Sequence, residues 1–132
     1  MPQLIDPDNP TYKLCIPAMD KTHLQFIELV NRLGAADKTE FINLFDHLLK
    51  HTEAHFADET DLMKQFGFPA IREHMDEHLR ILGELHRMGE QVRQGSLMFA
   101  RAYVNEQLPT WFDLHAKTMD SALAAHLSRK AA

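Results

Sequence analysis

The run H-F-A-D-E-T-D-L-M-K-Q-F-G-F-P-A-I-R-E-H-M-D-E-H, residues 55 to 78, decides the fold. His55 and Glu59 stand four apart, and so do His74 and His78. On an α-helix, residues four apart lie one above the other on one face. Each pair is therefore a two-toothed clamp. The Gly67-Phe68-Pro69 turn between them is short enough to fold the second helix back against the first. Three imidazoles and a carboxylate then point into one gap, the outline of a metal site.

Working outward, every flanking segment reads as helix. Upstream of the run, the same helix starts near Lys38 or Thr39 and ends at about Phe66. Its stripe is Phe41, Leu44, Phe45, Leu48, Thr52, His55, Glu59, Leu62 and Phe66. Downstream, the helix from about Pro69 to Arg93 carries Ile71, His74, His78, Ile81, Leu85, Met88 and Val92 at spacings of three and four. An earlier helix, about Met19 to Gly34, has His23, Phe26, Ile27, Val30 and Leu33 on its apolar side. After Gln94-Gly95, with Ser96 a candidate N-cap, a last helix covers about Leu97 to Leu127. Pro109 should kink it, because proline removes a backbone donor and crowds the preceding turn. Its inward side is Leu108, Trp111, Phe112, His115, Met119, Leu123 and Leu127. Residues 1–17 hold four of the six prolines and read as an extended arm. The expectation is one domain over 1–132: an arm over 1–17 and an all-α, up-down-up-down four-helix bundle over 18–132.

Bulk properties narrow the function classes. A length of 132 residues suffices for one core without staples. The net charge of −5 and the lack of a Lys/Arg cluster argue against nucleic acid as a partner. No apolar run approaches the roughly 20 residues that cross a bilayer, and the start M-P-Q-L-I-D-P lacks the features of a signal peptide. A lone cysteine, Cys15, makes a reducing cytoplasm the simplest home. Nine histidines in so short a chain are unusual.

His23, His55, Glu59, His74, His78 and His115 all fall on apolar stripes. Asp120 follows His115 by five residues, about 140° further round an α-helix, and reaches the same centre from the flank. Burying seven such groups unpaired would cancel a typical stability of about 5–15 kcal/mol. A single histidine on such a stripe is usually an ordinary core or surface residue. Two clamps plus contributions from the outer helices point instead to divalent metal. The absence of thiolate from the set excludes iron–sulfur and cysteine-based zinc sites, and leaves iron, zinc, copper or manganese. Two ions bridged by both carboxylates divide the five histidines three and two. With a hydroxide bridge, one ion reaches six-coordinate and the other stops at five, with one position open.

These residues resemble the hemerythrins, and among them the single-domain bacterial ones, the bacteriohemerythrins. The matching elements are D-K-T-H (Asp20 to His23), H-F-A-D-E (His55 to Glu59) with Leu62-Met63, the Gly-Phe-Pro turn, H-M-D-E-H, and W-F-D-L-H-A-K-T-M-D (Trp111 to Asp120). The resemblance implies reversible O2 binding at two non-haem iron ions (Fe2+/Fe3+) with an oxo or hydroxo bridge. It assigns His74, His78 and His115 to the six-coordinate iron, His23 and His55 to the five-coordinate one, and Glu59 and Asp120 to the bridges. In the family, O2 sits as hydroperoxide on the five-coordinate iron. Phe26, Phe56, Trp111, Phe112 and Leu114 are the expected walls of the O2 pocket. Asp20 is either an outer partner of His23 or a cap of the first helix.

Three positions depart from the family pattern. His51 stands in place of a usual aromatic residue, and Asp58 in place of a usual Glu. Ala116 is smaller than the usual Ile, which should widen the route to the open site and hasten autoxidation. His47 and His51 share a face with His55 and read as surface residues or as a second metal site; His86 and His126 carry no signal. The leading reading is an O2 carrier, store or supplier, not an enzyme, with an unidentified oxygen-consuming recipient. A di-iron oxidase or peroxidase, or an iron-handling protein, is the alternative. No Glu-x-x-His of the carboxylate-rich di-iron enzymes occurs in the chain.

Overall fold

A computed structural model describes residues 3–131; positions 1, 2 and 132, with the first proline of the expected arm, lie outside the described residues. Four helices form the expected all-α bundle, and the described residues contain no strand. Helix α1 is Pro17–Ala35, starting two residues before the expected Met19. Pro17 sits in the first turn, where its missing N–H costs nothing and its fixed φ already suits a helix. Helix α2 is Lys38–Gln65, capped by the Asp37 carboxylate, which accepts the Glu40 N–H at 2.9 Å. Its far end closes with the Phe68 N–H donating to the Met63 carbonyl at 2.9 Å and Gly67 at φ 61°. That left-handed residue reverses the chain into α3, Ile71–Arg93.

The last helix, α4, runs over 98–131 and is not uniform. Two wider π turns interrupt it, Tyr103–Gln107 and Ala116–Asp120. The first lies directly before Pro109, and its Leu108 N–H donates to the Tyr103 carbonyl five residues back. The wider turn absorbs the ring that would otherwise clash, so the proline does not end the helix. The second spans the gap between His115 and Asp120, where the Ser121 N–H donates to the Ala116 carbonyl five residues back. A π turn brings residues five apart onto one face. Asp120 therefore stands over His115 and not on its flank, and is buried while Met119 is only half-buried. The α-helical register expected from sequence is corrected here.

Two apolar cores fill the bundle. The larger one joins Phe26, Phe41, Phe45, Leu48, Leu85, Leu108 and their neighbours. The smaller one, at the other end, joins Met19, Met63, Phe68, Leu123 and Leu127. The buried cluster residues His23, Glu59, His74, His78 and Asp120 lie on their helices between the residues of these two cores. His126, which gave no signal in the sequence, closes the smaller core: its ring packs edge-on to Phe68 and its Nε2 lies 2.7 Å from the Phe66 carbonyl at the end of α2.

The arm is not extended throughout as expected: it turns at Asp6–Asn9, where the Asn9 N–H donates to the Asp6 carbonyl at 3.3 Å, forms a 3-10 turn at Pro10–Tyr12, and takes a left-handed residue at Cys15, φ 63°. Asn31 of α1 clamps it, its Oδ1 accepting the N–H of Leu4 and of Ile5, both at 2.9 Å, and its Nδ2 donating to the Ile5 carbonyl at 2.8 Å. The buried Tyr12 donates its hydroxyl to Asp113 of α4 at 2.6 Å, so the arm straps α1 to α4. Tyr12→Phe is expected to lower stability by about 1 kcal/mol, because Asp113 is partly exposed and water replaces some of the lost bond. Urea unfolding checks this; an unchanged midpoint would mean the strap is held by packing alone.

Candidate metal centre

The structure brings all seven predicted residues to one place, each from the helix expected to carry it, and buries every one. They fall into two overlapping groups. Glu59, His74, His78, His115 and Asp120 each offer one atom within 4.8 Å of the others, and so do His23, His55 and Glu59. The histidines all present Nε2.

Each carboxylate divides its two oxygens between the groups. Glu59 turns Oε1 to His74 at 3.1 Å and to His78 at 3.4 Å, and Oε2 to His55. Asp120 turns Oδ1 to His74 and to His115, both at 3.2 Å, and Oδ2 to His23 at 2.9 Å. Three imidazoles thus lie on one side of the carboxylate pair and two on the other.

Burial and charge act against each other here. Burial and the nearby Asp120 would raise the Glu59 carboxyl, but contacts from His55, His74 and His78 hold it well below the usual range. Asp120 is likewise held down, against burial, by His115, His23 and His74. Burial would lower His74, yet Asp120 and Glu59 push it up to about 9. His23 is raised too, its contact to Asp120 outweighing burial, whereas burial keeps His78 low. The two carboxylates thus favour the protonated form of His74 and His23, whose Nε2 atoms face them and would hold a metal.

Orphaned atoms test whether the residues fit metal. Nε2 of His78 and of His115, and Oδ1 of Asp120, are buried without a hydrogen-bond partner. They stand close to one another but are not aligned as donors and acceptors, as expected of atoms aimed at a common point between them. Such orphans cost about 1–3 kcal/mol each, and coordination removes that cost. The donor set fits metal binding.

Around the cluster, Phe56 stacks face to face on His78 at a centroid distance of 3.6 Å, and Trp111 stacks on His115 at 4.7 Å. Phe112 meets His23 edge-on at 5.3 Å, with Phe26 stacked behind it at 5.1 Å. Leu114 is a correction: it is 65% exposed and borders a surface groove between α3 and α4, with Arg80 and Thr110, that holds none of the seven cluster residues. Its i−1 position next to His115 turns it out of the bundle. Asp20 is another, since its carboxylate accepts the Leu14 N–H at 2.6 Å and does not touch His23. The His23 Nδ1–H donates instead to the Tyr12 carbonyl at 3.1 Å, which turns Nε2 to the centre. Asp20 acts on His23 only through the arm. A backbone acceptor leaves no mark in sequence, so Tyr12 was missed. So was Glu77, which accepts the Trp111 indole N–H at 2.7 Å and fixes that ring. Ala116 is fully buried and lines neither of the two grooves that touch the cluster, so its small size opens no route along them.

The profile of the Hemerythrin HHE cation binding domain matches residues 15–128. This chain belongs to the hemerythrin family. Its relatives include the bacteriohemerythrin of Ralstonia nicotianae, 31% identical over 113 residues, covering 86% of this chain and 82% of that protein. The bacteriohemerythrin of Aquifex aeolicus is 27% identical over 114 residues, covering 83% and 87%. No solved structure matches the chain. Hemerythrin membership and the donor set together fit non-haem iron. No helix among the described residues is long and apolar enough to cross a membrane.

Proposed function

We propose that this hemerythrin binds O2 reversibly at a pair of non-haem irons, and serves as a carrier, store or supplier rather than an enzyme. The observation that carries this reading is the division of both carboxylates, one oxygen to the three-histidine side and one to the two-histidine side. His74, His78 and His115 would hold one ion, His23 and His55 the other, with Glu59 and Asp120 bridging. Iron held by these residues would supply the electrons that reversible O2 binding requires.

The protein's own part is to position and to exclude. The His23 and His55 side offers one imidazole fewer than the other, so an ion held there would keep room for a small ligand. The Tyr12 carbonyl fixes the His23 tautomer, and the strap from Tyr12 to Asp113 keeps that carbonyl in place. Phe56, Trp111 and Phe112 pack against the imidazoles with apolar faces and bring no acid or base that would drive bound O2 onward. We read residues 1–132 as one domain. The single exposed free cysteine, Cys15, supports a reducing compartment such as the cytoplasm.

An oxygen-electrode balance separates a carrier from an oxidase. The reduced, iron-loaded protein should take up about one O2 per pair of irons and release it when the gas phase is exchanged. Continued O2 consumption at the expense of added reductant would reject the carrier reading.

A further inference from the structure

Two grooves on the seam between α1 and α2 meet at Gln25. The inner one, a cavity of about 320 Å³, is bordered by Thr22, Gln25, Asp58, Leu62 and the candidate ligands His55 and Glu59. The outer one, about 250 Å³, is bordered by Gln25, Glu28, Arg32, His47 and His51. His47, His51, His55 and Glu59 succeed one another at four-residue steps on α2, so they form a single row along the seam. Exposure falls along that row: His47 is exposed, His51 half-buried, and His55 and Glu59 buried. The His51 and His55 rings lie 6.0 Å apart, and Nε2 of His51 is buried without a hydrogen-bond partner.

We propose that His47 and His51, with Glu28 across the seam, form the route by which ferrous iron is loaded into the centre; this rests on the di-iron reading. The physics distinguishes iron from O2. A divalent cation cannot shed its water and cross apolar packing, because the desolvation cost amounts to several kcal/mol or more. It needs donors that replace the lost water in stages, and a row of imidazoles ending at a ligand provides them. O2 is apolar and has no such requirement. Each groove also carries a cation, Arg32 in the outer and Lys21 in the inner, and each is matched there by a carboxylate, Glu28 and Asp58. An ordinary surface histidine would keep its ring nitrogens in water, whereas one nitrogen of His51 is buried without a partner in a residue that borders the outer groove.

The test follows ferrous uptake by metal-free protein under anaerobic conditions, quenched at intervals with a ferrous chelator. Wild type is compared with His47→Ala, His51→Phe and the milder His51→Gln, and with His86→Ala on the exposed face of α3 as control. Circular dichroism confirms that each is folded. The His51 variants should load about tenfold more slowly, equivalent to about 1.4 kcal/mol of barrier. Their final iron content should equal wild type, and the control should load at the wild-type rate. Equal rates throughout would overturn the route and leave the centre standing. A lower final content in the His51 variants would make His51 part of the centre and overturn a transit role. A wild type that retains no iron would overturn the di-iron reading itself.

Discussion

Replacing Glu59 with alanine is expected to empty the two-histidine half of the centre. That half consists of His23, His55 and one oxygen from each carboxylate, so Glu59→Ala leaves it three donors. The other half keeps His74, His78, His115 and Asp120 Oδ1, four donors, enough to hold one ion. Iron should therefore fall from about two per chain to about one or fewer, since even outer-shell losses cost about 10–100-fold in metal affinity. O2 binding should vanish, because the ion with the open place is the one lost. Elemental analysis of the purified variant checks this. Two irons retained per chain would show that Glu59 is not a bridge.

The second large effect is a reversal of pH dependence on metal loading. In the metal-free protein, His74 is raised from 6.5 to about 9 by Asp120 and Glu59, against its burial. A raised histidine contributes stability fully below its unfolded value, and that contribution is lost as pH rises through the folded one. His23 is shifted in the same direction. Metal-free protein should thus lose a few kcal/mol between about pH 6.5 and 9. Glu59 and Asp120, held below the usual carboxylate range, contribute above about pH 4 and lose that contribution in acid. His78, kept low by burial, also disfavours the acid side. Metal needs the imidazoles neutral, so loading displaces these protons and removes the alkaline loss. The gap in melting temperature between loaded and metal-free protein should widen from pH 6 to 9. A metal-free protein whose melting temperature stays flat or rises over that range would contradict the proton-for-metal exchange.

The helices and six of the seven cluster residues were legible because they obey one rule, the return of an α-helix to the same face after three or four residues. His23, His55, Glu59, His74, His78 and His115 all sit at such spacings among apolar neighbours. Asp120 breaks the rule, and the sequence brought it to the centre from the flank of its helix, not from the face of His115. Its placement depends on a π turn, which widens the helix at a point that no residue type announces. The proline at 109 announced a disturbance in α4, but not that a wide turn at Tyr103–Gln107 would absorb it. The arm, though not its turns, was legible from its prolines. Its task was not, because the contact that matters is the Tyr12 carbonyl, and every residue has a carbonyl. Leu114 was misplaced by nearness in sequence to His115, although an adjacent position on a helix faces elsewhere. Phe56, which also adjoins a cluster residue, meets the cluster because it stacks on His78 from the neighbouring helix.

The most direct measurement is the visible spectrum of the purified iron-loaded protein, reduced without air, exposed to O2, and then sparged with inert gas. Reversible binding predicts a coloured band that appears with O2, disappears on sparging and returns with fresh O2. A band that decays at once to a stable oxidised spectrum, or a protein that stays colourless throughout, would contradict reversible O2 binding at this centre.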